Sequence, residues 1–423
     1  MNYILEGLLD FLNHTHSEFN AANNIREILK ANGFIELEEK MNFSLEYGKN
    51  YFMIRNDSGV IAFKIPSEIK EYNFTIASSH LDSPCLKLKM EKDIFSNGYH
   101  KLNVEKYGGL ILSSWLDKPL SLAGRVIIEN NGKLETKFID IDKPLLIIPN
   151  VCIHFNREIN NGFKYNEEID LKPIISLGNE ENSVLKAISS YLNIDLKNVV
   201  TYELNTYNLT KSYVGGLNDE FIMSPRIDNL ESAYLSLRGF LESNNNNISV
   251  FAAFNNEEIG SGTYSGADGD FLKNTLKRIS NSLNFSENEF LSAIARSFNL
   301  SIDNGHAVHP NHPELSDSNS LAYLNKGPII KFNSNMAYMS DASTSAIVIS
   351  ICKNNDIPYQ IFYNKSDVRG GSTLGTLSNS QIGIRTCDIG CAQLAMHSSY
   401  ETAGSEDAEY MYQLVKAIYN SNL

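Results

Sequence analysis

Side chains that could bind a metal or move a proton recur in this sequence where a predicted strand ends or a predicted helix begins. In open α/β sheets, ligands gather at the loops beyond the strand ends, so such residues can meet although they are far apart in the chain. Imidazole and carboxylate ligands together suit one or two divalent ions, such as zinc, cobalt or manganese. The segments are SSHLD (His80, Asp82), PRIDN (Asp228), FNNEE (Glu257, Glu258), SIDNGHAVH (Asp303, His306, His309) and LAMHSS (His397).

Each of these residues also has an ordinary structural explanation. A lone Asp at a helix start, such as Asp228, is most often a capping residue, and a lone His at a strand end is most often a hydrogen-bonded side chain. The pair His80 and Asp82 favours a metal site, because a histidine ligand usually donates its second ring N–H to a carboxylate. Spacing alone leaves both explanations open.

Two kinds of segment must position these residues. Residues 1–90 predict a helix followed by strands, and from residue 213 onward strands alternate with helices, which predicts an α/β sheet covered on both faces. The helix LESAYLSLRGFLES is preceded by Asp228 and Asn229 as candidate caps. Residues 93–212 hold many strand-like runs and turn pairs such as NNGK, which predicts a separate β-rich unit.

Size, charge and cysteine content narrow the functional classes. A chain of 423 residues exceeds one ordinary core and predicts two domains. A net charge of −14 disfavours nucleic acids and anionic membrane surfaces as partners. The five cysteines lack zinc-finger spacing, the N-terminus lacks signal-peptide features, and no apolar run approaches ~18 residues. We therefore expect a cytoplasmic protein with reduced thiols and no transmembrane helix.

Several long stretches carry a resemblance to a known family. They are SSHLDSPCLKLK, GGLILSSWLDKPLSLAGRV, SPRIDNLESAY, FNNEEIGSG, DNGHAVHPNHPE, KGPIIKFNSN and QLAMHSS. Together they extend over residues 80–399, and several run ten residues or more, so they are far more specific than a short motif. In them the chain resembles the aspartyl aminopeptidase family of metallopeptidases, which includes vacuolar aminopeptidase I.

The resemblance implies a site for two divalent metal ions per subunit. Zinc is the expected metal, with cobalt or manganese as alternatives. By this resemblance His80 and Asp303 would bind one ion, and Glu258 and His397 would bind the other. Asp228 would bridge the two ions.

The same resemblance implies catalytic roles for Glu257, as the general base, and for Asp82. In FNNEEIGSG the adjacent Glu257 and Glu258 would then point in different directions, one toward a metal-bound water and the other toward a metal. The cations would relieve the repulsion between the two carboxylates. Glu257 would take a proton from the water and pass it to the leaving amine.

The resemblance also implies substrate-binding residues. Lys331 and Tyr338 match positions in the family's substrate pocket, where the lysine could pair with an acidic first residue; a strand lysine reaching toward solvent is the alternative. His154 matches a residue that reaches a neighbouring subunit's active site, and a buried strand histidine is the alternative. Gly371 in DVRGGSTLG could present a backbone N–H to the substrate or belong to a structural turn. That segment departs from the form of animal aspartyl aminopeptidases, which leaves the acidic preference open.

The implied architecture is a catalytic domain of the zinc-exopeptidase type, with a mixed sheet flanked by helices, at residues 1–92 and 213–423. Residues 93–212 would be an inserted β-rich domain for dimerisation that also closes the entrance. Family members form dimers that assemble into tetrahedral dodecamers, so we expect a homo-oligomer with peptides as substrates.

We therefore expect a cytoplasmic metalloaminopeptidase that removes first residues from short peptides, with Asp and Glu favoured. Because a fold does not determine its function, other activities on it stay open. One is an aminopeptidase for neutral residues, and another is an amide deacylase or carboxypeptidase on the same two-zinc fold. A binding protein without catalytic activity is a further alternative.

Overall fold

A computed structural model describes residues 2–90, 93–179, 181–244, 247–368, 370–371 and 373–422. The helices are α1 Tyr3–Asn13, α2 Glu18–Ala31, α3 Ser183–Leu192, α4 Ile227–Leu241, α5 Phe271–Ser282, α6 Glu287–Arg296, α7 Ala342–Asn354, α8 Leu374–Ile382 and α9 Asp407–Asn420. The strands are β1 Ile35–Glu36, β2 Asn50–Arg55, β3 Gly59–Lys64, β4 Phe74–His80, β5 Cys85–Leu88, β6 Ile94–Ser96, β7 Tyr99–Lys101, β8 Val104–Tyr107, β9 Leu120–Asn130, β10 Lys133–Asp140, β11 Ile174–Leu177, β12 Val199–Asn208, β13 Tyr213–Gly215, β14 Phe221–Ser224, β15 Ile248–Phe254, β16 Phe298–Ile302, β17 Gly305–His306, β18 Ile329–Phe332, β19 Gln360–Tyr363, β20 Arg385–Gly390, β21 Ala392–Leu394 and β22 Glu401–Gly404.

A mixed sheet of nine strands lies at the centre of the α/β part of the chain, in the order β1-β2-β3-β15-β4-β16-β20-β18-β19. Its middle strands β15, β4, β16 and β20 run parallel to their neighbours in this group. Strands β4 and β15 are short runs buried along their whole length, as expected for strands covered on both faces. His80 at the end of β4 pairs with Phe254 at the end of β15, so their following loops start side by side.

Helices cover both faces of this sheet. Alternate residues of a strand point to opposite faces, and Phe52 and Met53 of β2 accordingly belong to two different apolar clusters. The cluster around Phe52 includes residues of α1, α2, α4, α7 and α9. The cluster around Met53 includes residues of α5, α6 and α8. The predicted α/β fold class, a mixed sheet flanked by helices, is confirmed.

The β-rich unit has its own core, formed by a sheet in the order β10-β9-β12-β5-β8 and a smaller sheet in the order β11-β7-β6. Strand β5 pairs with β8 and β12 in this unit. It lies before residue 93, so the β-rich sheet takes one strand from ahead of the boundary expected from the sequence. The division into two domains stays a prediction.

A fourth sheet, in the order β13-β14-β22-β21-β17, pairs strands that precede α4 with strands from the last third of the chain. Strand β14 leads directly into α4, and strands β21 and β22 flank a short loop that contains His397. Because β14 and β22 pair with each other, the start of α4 and the loop before β22 lie close together.

Two further observations concern the helices and the cysteines. Within the described ranges, no helix has both the length and the apolar character required to cross a lipid bilayer. All five cysteines are free thiols, and Cys152 is the exposed one. A cytoplasmic location stays a prediction.

Candidate metal centre

Five side chains from separate segments converge beyond the carboxyl ends of the central strands. His80 ends β4, Glu258 lies in a single 3₁₀ turn after β15, and Asp303 follows β16. The start of α4 contributes Asp228, and the loop between β21 and β22 contributes His397. Parallel neighbouring strands bring these loops to one edge of the sheet, as the sequence predicts.

The carboxylate of Asp228 lies between the two histidines and faces each with a different oxygen. Its Oδ1 lies 3.5 Å from Nε2 of His80, and its Oδ2 lies 3.4 Å from Nε2 of His397. Asp303 Oδ1 also lies 3.5 Å from the His80 nitrogen, and Glu258 Oε2 lies 3.3 Å from the His397 nitrogen. The result is two adjoining groups of ligand atoms that share Asp228, each within 4.8 Å.

The two adjacent glutamates point to different ends of this arrangement. Glu258 faces His397, whereas Oε2 of Glu257 lies 4.0 Å from Nε2 of His80. Burial raises the pKa of Glu257 to about 8, and the nearby charge of Asp303 adds to this effect. Burial and the charge of Asp228 raise the pKa of Glu258 well above its ordinary value. Without a cation, the two carboxylates are therefore hard to ionise together.

The site contains more carboxylates than histidines, and some of the carboxylate oxygens lack hydrogen-bond partners. Among the described residues, Oδ1 of Asp228 and Oε1 of Glu258 are buried without a hydrogen-bond partner. Burying a carboxylate oxygen without a partner is costly, and coordination of a cation removes that cost. Nitrogen and oxygen donors in groups of three suit zinc with an open position. These residues fit one or two divalent metal ions.

Backbone groups lie against the Nδ1 side of both histidines. Nδ1 of His80 bonds to the backbone oxygen of Asp82 at 3.0 Å, and the backbone of Gly109 lies beside Nδ1 of the His397 ring. Each ring thereby keeps Nε2 directed at the carboxylates, which is the arrangement a ligand requires. Burial disfavours the charged ring of His80, but the carboxylates of Asp228 and Asp303 outweigh this and raise its pKa well above the ordinary value.

Asp82 holds the glutamate loop more directly than it holds the histidine. Its carboxylate lies 3.4 Å from Nδ1 of His80, behind the closer backbone oxygen. Its two oxygens accept the backbone N–H groups of Glu257 and Glu258, each at 3.1 Å. The hydroxyl of Tyr107 donates to it at 2.7 Å. These contacts of Asp82 hold the backbone of the turn that carries Glu257 and Glu258.

Lys331 and Tyr338 lie close to the site, although the lysine already has partners. Its Nζ donates to the backbone oxygen of Asn304 at 2.8 Å and lies 3.7 Å from Oδ2 of Asp303. Lys331 is 2% exposed, so the alternative of a lysine reaching toward solvent is wrong. Tyr338 is also buried and accepts a hydrogen bond from Asn364 at 3.2 Å.

Gly371 lines a cavity of about 290 Å³ beside the site, and His154 lies elsewhere on the surface. His154 is exposed in an irregular segment, so the alternative of a buried strand histidine is wrong. In DVRGGSTLG, Arg369 and Ser372 lie outside the described residues. The residues that line the cavity include His306, His309, Asn364, Lys365, Gly370 and Gly371.

The expectation that Asp228 and Asn229 cap α4 is wrong. The capping position is Arg226, without a side-chain cap, and the backbone at Asp228 and Asn229 is not helical. Nδ2 of Asn229 instead donates to the backbone oxygen of Ile302 at 2.9 Å. The local break in the helix turns the Asp228 carboxylate toward the histidines, and sequence spacing does not reveal such a break.

Sequence reasoning also missed residues that support the site from the β-rich unit and from β22. Gly108 has a φ of +74°, and a side chain there would lie 3.2 Å from Cβ of Glu258. With Tyr107 and Gly109 it forms a loop closely packed against the ligand candidates. Glu401, four residues after His397, binds two backbone N–H groups at the site. The short sequences KYGGL and HSSYE carry only weak signals of these roles.

Comparisons with known proteins place the chain among metallopeptidases. Residues 11–419 match the family described as aminopeptidase I zinc metalloprotease (M18). A protein of Clostridium novyi (strain NT) named "Probable M18 family aminopeptidase 2" is 41% identical over 422 residues, covering 98% of each chain. A similarly named protein of Ectopseudomonas mendocina is 38% identical and covers 99% of this chain and 98% of its own.

Solved structures agree with this placement. The chain in "Cryo-EM structure of the Ape4 and Nbr1 complex" superposes with a TM-score of 0.95 at 34% identity, covering 98% of this chain and 85% of that one. The chain in "Structure of S. cerevesiae mApe1 dodecamer" gives a TM-score of 0.85 at 24% identity, covering 98% and 96%. The second likeness shows the fold alone.

A buried glutamate beneath the site should give the metal-free protein a distinctive pH dependence. Glu231 on α4 is fully buried, accepts one hydrogen bond from Asn304 at 2.8 Å, and has a pKa raised by burial to about 8. The folded protein thus keeps a proton that the unfolded chain loses near pH 4.5. Stability from this group is complete below that pH and is lost as the pH rises to about 8.

With chelator present, we therefore expect the stability of Glu231→Gln to change less than that of wild type between about pH 5 and about pH 8. The measurement is the urea midpoint at each pH. Glu287→Gln, at a glutamate whose side chain is 73% exposed, is the matched control and should follow wild type. Parallel profiles for wild type and Glu231→Gln would contradict the assignment.

Proposed function

The chain belongs to the aminopeptidase I zinc metalloprotease family (M18), so it is a metallopeptidase acting on N-terminal peptide bonds, and we propose how it does so. It releases first residues from short peptides, with Asp and Glu favoured, using two zinc ions and Glu257 as the general base. The observation that carries this proposal is the Asp228 carboxylate, whose two oxygens lie 3.5 Å and 3.4 Å from the Nε2 atoms of two histidines.

The proposed ligands follow the two groups of atoms that share Asp228. His80 and Asp303 belong to one ion, and Glu258 and His397 belong to the other. When bound, a pair of divalent ions acts as a Lewis acid for the scissile carbonyl and makes a water molecule more acidic. Zinc fits the mixture of imidazole and carboxylate donors, and cobalt or manganese can be tested in its place.

Glu257 is the best placed proton carrier of the site. It is not needed in either group that shares Asp228, and its side chain is 15% exposed, so it can reach a substrate. Its backbone N–H is held by Asp82 at 3.1 Å, which limits the movement of the loop. In the proposed mechanism its carboxylate accepts a proton from the attacking water and donates it to the leaving amine.

The preference for an acidic first residue rests on the groups around the cavity next to the site. The ammonium of Lys331 lies 3.7 Å from Asp303, so it offsets the charge of this proposed ligand and adds positive potential beside the site. His306 and Lys365 line the cavity of about 290 Å³, and both can face an acidic side chain. Gly371 on its wall can offer a backbone N–H to the substrate, and Tyr338 packs behind Lys331.

We further propose that the active form is a homo-oligomer in which His154 completes a neighbour's site. Exposed apolar side chains surround His154 in the sequence, including Phe155 at 86% exposure, Val151 and Ile153. Contiguous exposed apolar residues are typical of surfaces that a partner covers. One structural neighbour is described as a dodecamer. Dimers formed through the β-rich unit, assembled into a dodecamer in the cytoplasm, agree with these observations.

The test of substrate class uses metal-free protein to which zinc, cobalt or manganese is returned. Release of the first residue is measured from peptides that begin with Asp, Glu, Leu or Lys, and from an N-acetylated peptide. We expect kcat/KM for Asp and Glu to exceed that for Leu and Lys by about tenfold or more, because an acidic side chain can pair with the positive groups around the cavity and the other two cannot. A preference for Leu would replace the acidic proposal. Cleavage of the N-acetylated peptide alone would indicate a deacylase. No detectable cleavage of any substrate with metal bound would contradict peptidase activity.

The adjacent glutamates provide a matched pair of variants. Glu257→Gln should keep the metal content of wild type and lower kcat by roughly 10²–10⁴-fold, because it removes the proton acceptor and leaves the ligands. Glu258→Gln should lower the metal content itself, because a carboxamide is a weaker ligand. Metal analysis and steady-state kinetics distinguish them. Wild-type turnover by Glu257→Gln would remove that residue as the base.

The role of His154 can be tested by mixing inactive variants. His154→Ala and Glu257→Gln should each have low activity alone. If His154 acts on a neighbouring subunit, co-refolding equal amounts should restore roughly a quarter of the wild-type activity, since one site in four then combines an intact base with an intact neighbour. His154→Ala refolded with itself is the control. Mixed oligomers without restored activity would contradict action between subunits.

A further inference from the structure

Glu401 is a buried carboxylate that belongs to neither ligand group. It is the first residue of β22, is 2% exposed, and pairs with Ser224 at the end of β14. Because β14 leads into α4, Glu401 lies next to the backbone that approaches Asp228. It is also four residues from His397, so it faces two segments of the site at once.

Each oxygen of this carboxylate binds one ligand-bearing segment. Oε1 accepts the backbone N–H of His397 at 2.7 Å, and Oε2 accepts the backbone N–H of Asp228 at 3.1 Å. The side chains of His397 and Asp228 meet on the other side, with 3.4 Å between Nε2 and Oδ2. One rigid, planar group therefore holds the separation of two residues that must contact the same ion.

The backbone at His397 needs such a support. Its φ is +67°, a left-handed conformation that is uncommon for a residue with a side chain and persists only where its surroundings enforce it. The N–H of His397 is bound by Glu401, and its carbonyl oxygen accepts the N–H of Ile111 at 3.0 Å. Glu401 thus supplies one of the two backbone contacts that define this conformation.

Glu401 is suited to positioning and not to coordination. Both of its oxygens already accept N–H groups, and the groups of possible ligands among the described residues do not include it. Gln393 donates to Oε1 at 3.3 Å and is held in turn by Asn304 at 2.7 Å. The arrangement of Glu401 parallels that of Asp82, which accepts two backbone N–H groups on the other side of the site.

We propose that Glu401 is a positioning residue for the ion bound by Glu258 and His397, with Asp228 as the shared ligand. The inference rests on the proposed function only in assuming that these side chains bind metal. Its carboxylate fixes two backbone N–H groups, and through them the distance between the His397 ring and the Asp228 carboxylate. Loss of that constraint weakens binding of one ion of the pair and leaves the ligands chemically intact.

The test is metal binding by Glu401→Gln, which keeps the shape of the side chain and replaces one acceptor oxygen with an N–H donor. We expect the affinity for one of two Co²⁺ ions to fall roughly 10–100-fold in competition with a coloured chelator. The visible absorption of bound Co²⁺ should change, because the geometry around one ion changes. Excess metal should restore much of the activity. The affinity and absorption measurements do not require that the protein cleave peptides, so failure of the proposed function and failure of this inference can be told apart.

Asp407 provides the matched control. It is also fully buried and accepts two backbone N–H groups, from Asn325 at 2.7 Å and Gly327 at 2.8 Å, neither of which is a proposed ligand. Asp407→Asn should lower the thermal midpoint and leave Co²⁺ affinity and absorption unchanged. Wild-type affinity and spectrum in folded Glu401→Gln would overturn the inference. If that variant does not fold, Gln393→Met decides, with a smaller loss of affinity expected and an unchanged affinity counting against the inference.

Discussion

The carboxylate of Asp228 reaches two histidines that approach from opposite sides, and the surrounding structure depends on that shared position. Asp303 and Glu258 complete the two groups, so several acid groups occupy a space from which water is largely excluded. Such a concentration of negative charge is unfavourable in a low-dielectric interior unless cations are present. The same electrostatic excess that would destabilise an ordinary core makes this place a strong site for divalent ions. The fold therefore has to hold the acids together against their repulsion.

The fold holds these acids together through a second layer of carboxylates, which accept hydrogen bonds from backbone N–H groups of the loops. Asp82 binds the N–H groups of the Glu257–Glu258 turn, and Glu401 binds those of Asp228 and His397. Each of these acids converts a flexible loop into a fixed one, because two hydrogen bonds from one planar group determine both distance and orientation. The proposed ligands thus owe their geometry less to their own side chains than to the loops on which they sit.

Much of the fold and of the proposed ligand set could be predicted from the sequence, and the reasons are physical. Buried strands such as ISVFAAF are continuous apolar runs, and His80 and Asp303 stand at or just after strand ends, where parallel sheets collect ligands. Asp228 was harder to identify as a ligand, because its place at a helix start gave it an equally good explanation as a cap. Glu401 and Tyr107 could not be found, since their roles consist of contacts between distant segments that no local pattern records. The charge partner of Lys331 was hidden for the same reason.

The β-rich unit also contributes to the site, because the Tyr107 hydroxyl donates to Asp82, Gly108 packs against Glu258, and Gly109 packs against the His397 ring. Strand β5, which follows the His80 loop, is part of that unit's sheet. The two units are consequently not interchangeable modules. Chimeras between relatives would need to exchange the β-rich unit together with the loops it braces, and a minimal version of the α/β part alone would lack three of the contacts that shape the candidate site.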